Sequence, residues 1–150
     1  MKILLAVDDS PFSKHMLAYL AAHAEWFNPA NDYTVLHCIT PLPNGLAPLL
    51  DAAQTRAREE AEAQAVFAPL RVFLERHQIK PSFVHEVGHP ASAITGLAQR
   101  GGFDLVMVGS RGHGALGSLV LGSTATKVLA LSKVPVLIIR HDERHASARV

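Results

Sequence analysis

Cysteine is almost missing from this chain. Of 150 residues only Cys38 carries a thiol, so no disulfide can form within it. Cys38 lies in an apolar run, where a lone cysteine behaves as a small buried hydrophobe. An excess of charge is missing too. Fourteen basic residues face thirteen acidic ones for a formal +1, and no four basic residues run together. That excludes a broad electrostatic pull toward nucleic acid or membrane. No apolar run approaches the ~20 residues of a membrane-spanning helix. The opening MKILLAVDDS has neither the apolar length nor the small-residue cleavage site of a secretory signal. The expected location is therefore cytoplasmic.

Core-forming residues are abundant. Hydrophobic residues make up 49% and charged ones 18%, which excludes a disordered or collagen-like chain. The length suits one compact domain, and no linker, repeat or second composition regime divides it. A single domain over 1–150 is expected, with 141–150 as a frayed tail.

Short apolar runs alternate with helix-like stretches. Ile3 to Val7 is apolar throughout and stops at Asp8-Asp9, as a strand buried on both faces does. Ser10 offers an N-cap and Pro11 a first helical position, with helical spacing continuing to Trp26 and Phe27. Tyr33–Ile39, Pro81–Val87, Phe103–Val108 and Val134–Ile139 read as four further strands. A long alanine-rich stretch from about Leu49 to His77 reads as helix, and Pro69 inside it predicts a kink or a split. A further helix carries Ile94, Leu97 and Ala98, and another spans Ser123 to Leu131. Strand and helix in strict alternation define an α/β fold with an open parallel sheet.

Ligands in such sheets bind beyond the carboxyl ends of the strands, where strand order reverses. The richest of those ends is Gly109-Ser110-Arg111-Gly112-His113-Gly114, running through Gly117 to Gly122-Ser123-Thr124. Five glycines in fourteen residues let backbone turn and approach a ligand closely. The helix opening at Gly122-Ser123-Thr124 offers free N–H groups and a positive dipole end to a phosphate. The plainer reading is that glycine is common in α/β turns and that Ser123 only caps. The loop is not a Walker A loop, and no GxGxxG follows the first strand.

The spacing Gly109-x2-Gly112-x9-Gly122-Ser123 resembles the G-2x-G-9x-G-(S/T) motif of ATP-binding universal stress proteins. VMVGSRGHGALGSLVLGSTATKVL with VPVLIIR is similar to that family's C-terminal half, and ILLAVDDS and VLHCI to its first two strands. The resemblance runs to about residue 140. It implies an adenine-nucleotide alpha-hydrolase-like fold of five parallel strands in order 3-2-1-4-5, with helices on both faces. It also implies ATP as ligand, with or without Mg2+, and a homodimer formed through Val134–Ile139. It places Gly109, Gly112, Gly122, Ser123 and Thr124 at ribose and phosphates, Val108 beside them, and Asp8 at the nucleoside. Cys38 stands where the family usually has valine beside adenine. Asp8 is expected to serve the ligand rather than the fold, with Ser10 as the helix cap.

Other residues invite weaker readings. Arg111, His113 and Lys127 could reach phosphate, but loop and helix-face residues of these types are often simply solvated. Nine histidines suggest a metal, and His141 and His145 stand four apart in a tail that need not be helical, but no metal site is expected. A GxSxG nucleophile elbow is absent, as is an SGGxDS-like pyrophosphate loop after the first strand. The expectation is a regulatory ATP-binding protein, not an enzyme, with no nucleic-acid or membrane partner. A slow ATPase or another adenine-nucleotide-handling enzyme is the alternative.

Overall fold

The computed structural model describes residues 1–41, 51–111 and 121–140. Among these residues nine elements follow one another: β1 (Lys2–Val7), α1 (Pro11–Ala22), β2 (Asp32–Ile39), α2 (Ala52–Arg76), β3 (Ser82–Val87), α3 (Pro90–Arg100), β4 (Leu105–Gly109), α4 (Ser123–Leu131) and β5 (Val136–Ile139). The strands form one parallel sheet in the order β3-β2-β1-β4-β5. β1 is central, pairing Val7 with His37 of β2 and Ala6 with Val108 of β4. Among the described residues no helix is long and apolar enough to cross a membrane.

Alternation along the strands makes two cores. Ile3, Leu5 and Val7, with Val35, Ile39 and Met107, pack under Met16, Leu17 and Leu20 of α1 and Val66, Phe67, Leu70 and Leu74 of α2. On the other face Leu4, Leu36, Val106 and Val108 pack under Ala91, Ile94 and Ala98 of α3 and Ala125 and Val128 of α4. Each large aliphatic side chain so buried contributes about 1.5–3 kcal/mol relative to exposure. Continuous apolar strands are thus explained by helices above and below.

The helix ends follow local chemistry. At α2, Asp51 accepts from the Gln54 N–H at 2.8 Å while the Gln54 side chain accepts from the Asp51 N–H at 3.0 Å, a reciprocal capping box. α3 starts with Pro90 at its first turn and stops at Gly101-Gly102, where Gly102 has φ of +62°, a conformation glycine adopts without strain.

Several elements differ from those expected; β4, for one, begins at Leu105 and not at Phe103. α1 stops at Ala22, four residues before Trp26, and His23 Nδ1 lies 2.8 Å from the Tyr19 carbonyl at its end. β5 begins at Val136, since Pro135 has no N–H for a ladder, although its carbonyl accepts from Val106 N at 2.9 Å. Most notably, α2 is one helix through Pro69. Pro69 and Ala65, whose carbonyl loses its i+4 donor, are both exposed, so water can serve the carbonyl. Pro69→Ala restores that donor at a site without packing demands. It should stabilise the protein by about 2 kcal/mol, read from urea midpoints, after allowing for the freer unfolded chain. An unchanged or lowered midpoint would show that proline's geometry there helps seat α2.

Candidate functional site

After β1 the chain builds β2 and β3 on one side, then returns to build β4 and β5 on the other. The carboxyl ends of β1 and β4 therefore lie side by side, with helices leaving to opposite faces. This is the switch point at which open α/β sheets hold ligands.

Gly109 ends β4, and the next residue, Ser110, is buried. The Ser110 N–H donates to the Ile139 carbonyl at 2.8 Å, and its own carbonyl accepts from Gly122 N at 2.7 Å. One residue thus ties the end of β5 and the start of α4 to the end of β4. The two described ends of the glycine stretch, Gly109 to Arg111 and Leu121-Gly122, meet there. Gly112, His113, Gly114 and Gly117 lie outside the described residues, as do the tail histidines His141 and His145.

The glycines serve the chain's own packing. A Cβ on Gly109 would stand 3.0 Å from Cβ of Phe12 in α1, and one on Gly122 would stand 3.2 Å from Cα of Arg111. Gly122 has φ −73° and ψ 163°, so closeness and not a left-handed conformation asks for glycine. A Gly122→Val substitution would therefore press on the Arg111 backbone.

Gly122 is the N-cap of α4 and no side chain caps that helix. Ser123 and Thr124 occupy its first turn, exposed and half-buried, and Lys127 is exposed one turn on. The opening N–H groups of a helix have no intrahelical acceptor, and the dipole adds a partial positive charge. Arg111 holds its guanidinium 5.9 Å above the Phe12 ring, beside the same corner. The arrangement suits an anion.

Asp8 follows the last residue of β1, and its Oδ1 collects the start of α1. The Ser10 N–H donates to it at 3.1 Å, the Ser13 hydroxyl at 2.7 Å, and the Ser10 hydroxyl also donates to it. In return the Asp8 N–H donates to Ser13 Oγ at 2.8 Å. Ser10 occupies the N-cap position but makes no side-chain cap. The expected division of labour, Ser10 for the helix and Asp8 for the ligand alone, does not hold: Asp8 carries the helix start itself. Ser13 was not foreseen, though a serine three residues after Ser10 sits where a first-turn hydroxyl can reach back.

The other expected positions divide. Val108 is 4% exposed and belongs to the α3/α4 core, so its side chain is structural. Cys38 is half-buried against that same core, one residue beyond the Val7–His37 pairing, as Asp8 is. Burial, and then the Glu86 carboxylate, push its thiol up to about 12. At neutral pH it is an uncharged apolar surface, with no nucleophile or metal-ligand character. Among the described residues no group of three or more His, Cys, Asp or Glu side chains could hold a metal ion.

Fold and site together define a small α/β protein with an adenine-nucleotide alpha-hydrolase-like fold. The model of the universal stress protein family matches residues 1–140; the chain belongs to that family. A Thermus aquaticus relative, "Universal stress protein in QAH/OAS sulfhydrylase 3'region", is 35% identical over 139 residues, spanning 92% of this chain and 97% of the relative. Two solved structures share the fold. A universal stress protein family protein from Arabidopsis thaliana with AMP bound has TM-score 0.70 at 14% identity, covering 99% of this chain and 97% of its own. The Archaeoglobus fulgidus universal stress protein in complex with dAMP has TM-score 0.66 at 20% identity, covering 93% and 97%.

Because Oδ1 of Asp8 gathers three donors, Asp8→Ala should lower unfolding stability by about 1–3 kcal/mol with no ligand present. Thermal denaturation of the purified variant reads this. An unchanged melting temperature would mean the Ser10 and Ser13 contacts add nothing to the fold.

Proposed function

We propose that this protein binds an adenine nucleotide, ATP foremost, in the crevice between β1 and β4, and works in the cytosol as a regulatory protein whose state depends on occupancy. The observation that carries the reading is the Ser110 carbonyl to Gly122 N–H bond of 2.7 Å. It brings the opening of α4 onto the switch point, next to Asp8 at the end of β1. Phosphates would meet the N–H groups of Ser123 and Thr124 and the charge of Arg111. Ribose or adenine would face the Asp8 side of the crevice, with Cys38 and the ends of β1 and β2 as apolar surroundings. The AMP and dAMP complexes of the two structural neighbours support an adenine nucleotide as the class. Gly112 is assigned to the same site by its place in the motif.

Ser123→Asp tests the phosphate end. A carboxylate in the first turn of a helix complements the dipole, so the apo fold should keep or gain stability. The same charge repels phosphate. Calorimetry should find ATP affinity reduced about tenfold or more while adenosine affinity holds. Equal affinity for ATP in wild type and variant would place the phosphates elsewhere. ATP is read as an effector and not a substrate, so ADP release should stay at the rate of buffer alone.

A second copy of the chain is the proposed partner. Among the described residues β5 pairs with β4 alone, and its outer edge has no partner strand. Leu129 and Leu131, on the last turns of α4 that precede this strand, are 48% and 57% exposed. An apolar open edge of this kind is a template for pairing. Light scattering should return twice the 16.2 kDa chain mass, and Val136→Lys should return the single mass. A monomeric wild type at micromolar concentration would overturn the dimer.

A further inference from the structure

His37 of β2 lies under α2, 7% exposed, with its ring edge-on to Phe67 at a centroid distance of 6.3 Å. Its Nδ1 is 3.1 Å from the Val7 carbonyl. A carbonyl only accepts, so Nδ1 carries the proton and Nε2 is left with the lone pair. Nε2 is buried and, among the described residues, has no hydrogen-bond partner. The Glu62 carboxylate stands 3.9 Å away, too far to bond and itself an acceptor, and it is engaged by Arg58 at 3.3 Å. Burying an unpaired acceptor works against folding. An aliphatic residue of similar volume would fit this apolar place without that penalty. What the imidazole adds is the single bond from Nδ1–H to Val7.

Val7 is the last residue of β1, and its carbonyl belongs to the peptide that leads into Asp8. His37 is also its register partner. The ring therefore clamps the peptide that leads into Asp8, whose carboxylate is already gripped by Ser10 and Ser13. We infer that His37 is a positioning residue for the nucleotide site: it holds the Val7–Asp8 peptide in place through Nδ1 and does so at the expense of its own orphaned Nε2. The inference rests on the adenine-nucleotide reading of the crevice.

Two variants separate positioning from packing. His37→Leu keeps an apolar body and removes both ring nitrogens. His37→Asn keeps a donor near the Nδ1 position and removes Nε2. The full-length proteins are compared by thermal denaturation without ligand and by calorimetry with ATP and AMP. His37→Leu should melt within about 3 °C of wild type, yet bind both nucleotides three- to tenfold more weakly. His37→Asn should bind within twofold of wild type. Leu and wild type binding alike would overturn the inference and leave the nucleotide reading standing. So would Asn losing affinity as fully as Leu, or a Leu variant that melts far lower, since either outcome makes the ring a packing element. A wild type that binds neither nucleotide would remove the nucleotide reading, and the inference with it.

Discussion

β1 is the constraint on which the rest of the molecule depends. It is hydrogen-bonded on both edges, to β2 and to β4, and Ile3, Leu4 and Leu5 have no exposure at all. A strand in that position needs apolar cover on both faces. The described helices therefore divide between them, α1 and α2 on one side and α3 and α4 on the other. It also obliges the chain to build outward in one direction, return, and build in the other. The reversal leaves a crevice beside the end of β1. No loop needs to be shaped for this, because the crevice is a consequence of strand order.

What the glycine stretch adds is closure. Ser110 binds the end of β5 with its N–H and the start of α4 with its carbonyl, so a nine-residue helix without a side-chain cap opens at the crevice. Gly109 lets Phe12 approach and Gly122 lets the Arg111 backbone approach. Asp8, meanwhile, joins the end of β1 to the start of α1 through Ser10 and Ser13. Helix starts from two sequence-distant segments are thus fixed against adjacent strands by short polar links. Rigidity of this kind suits recognition of a small ligand, because less order remains to be imposed on binding.

The layered fold was legible in the residues. Uniformly apolar runs such as Ile3 to Val7 announce strands covered on both faces, and the alternation with helices gives the parallel sheet. The strand order 3-2-1-4-5 came from family resemblance; periodicity says which residues are buried and not which strands are neighbours. Pro69 left a kink and a split both open, and α2 is not split; a proline's effect depends on whether the orphaned carbonyl can reach water, which the placement of α2 decides. Spacing singled out Gly109, Gly122 and Ser123, and the structure brings Gly109 and Gly122 together around Ser110. The structural share of Asp8 was hidden, since a capping role and a ligand role ask for the same residue type at the same turn. His37 was invisible for a different reason. Within VLHCI it looks like one residue of a strand, and its meaning lies in a carbonyl thirty residues away.

The adenine-nucleotide site proposed at the ends of β1 and β4, with the start of α4, is open to direct test by titrating isotopically labelled protein with AMP and following backbone amide shifts. The largest changes should fall at Asp8, at Gly109 to Arg111 and at Gly122 to Thr124. Saturable changes centred elsewhere, for example along β3, or no change at millimolar AMP and ATP, would contradict that placement.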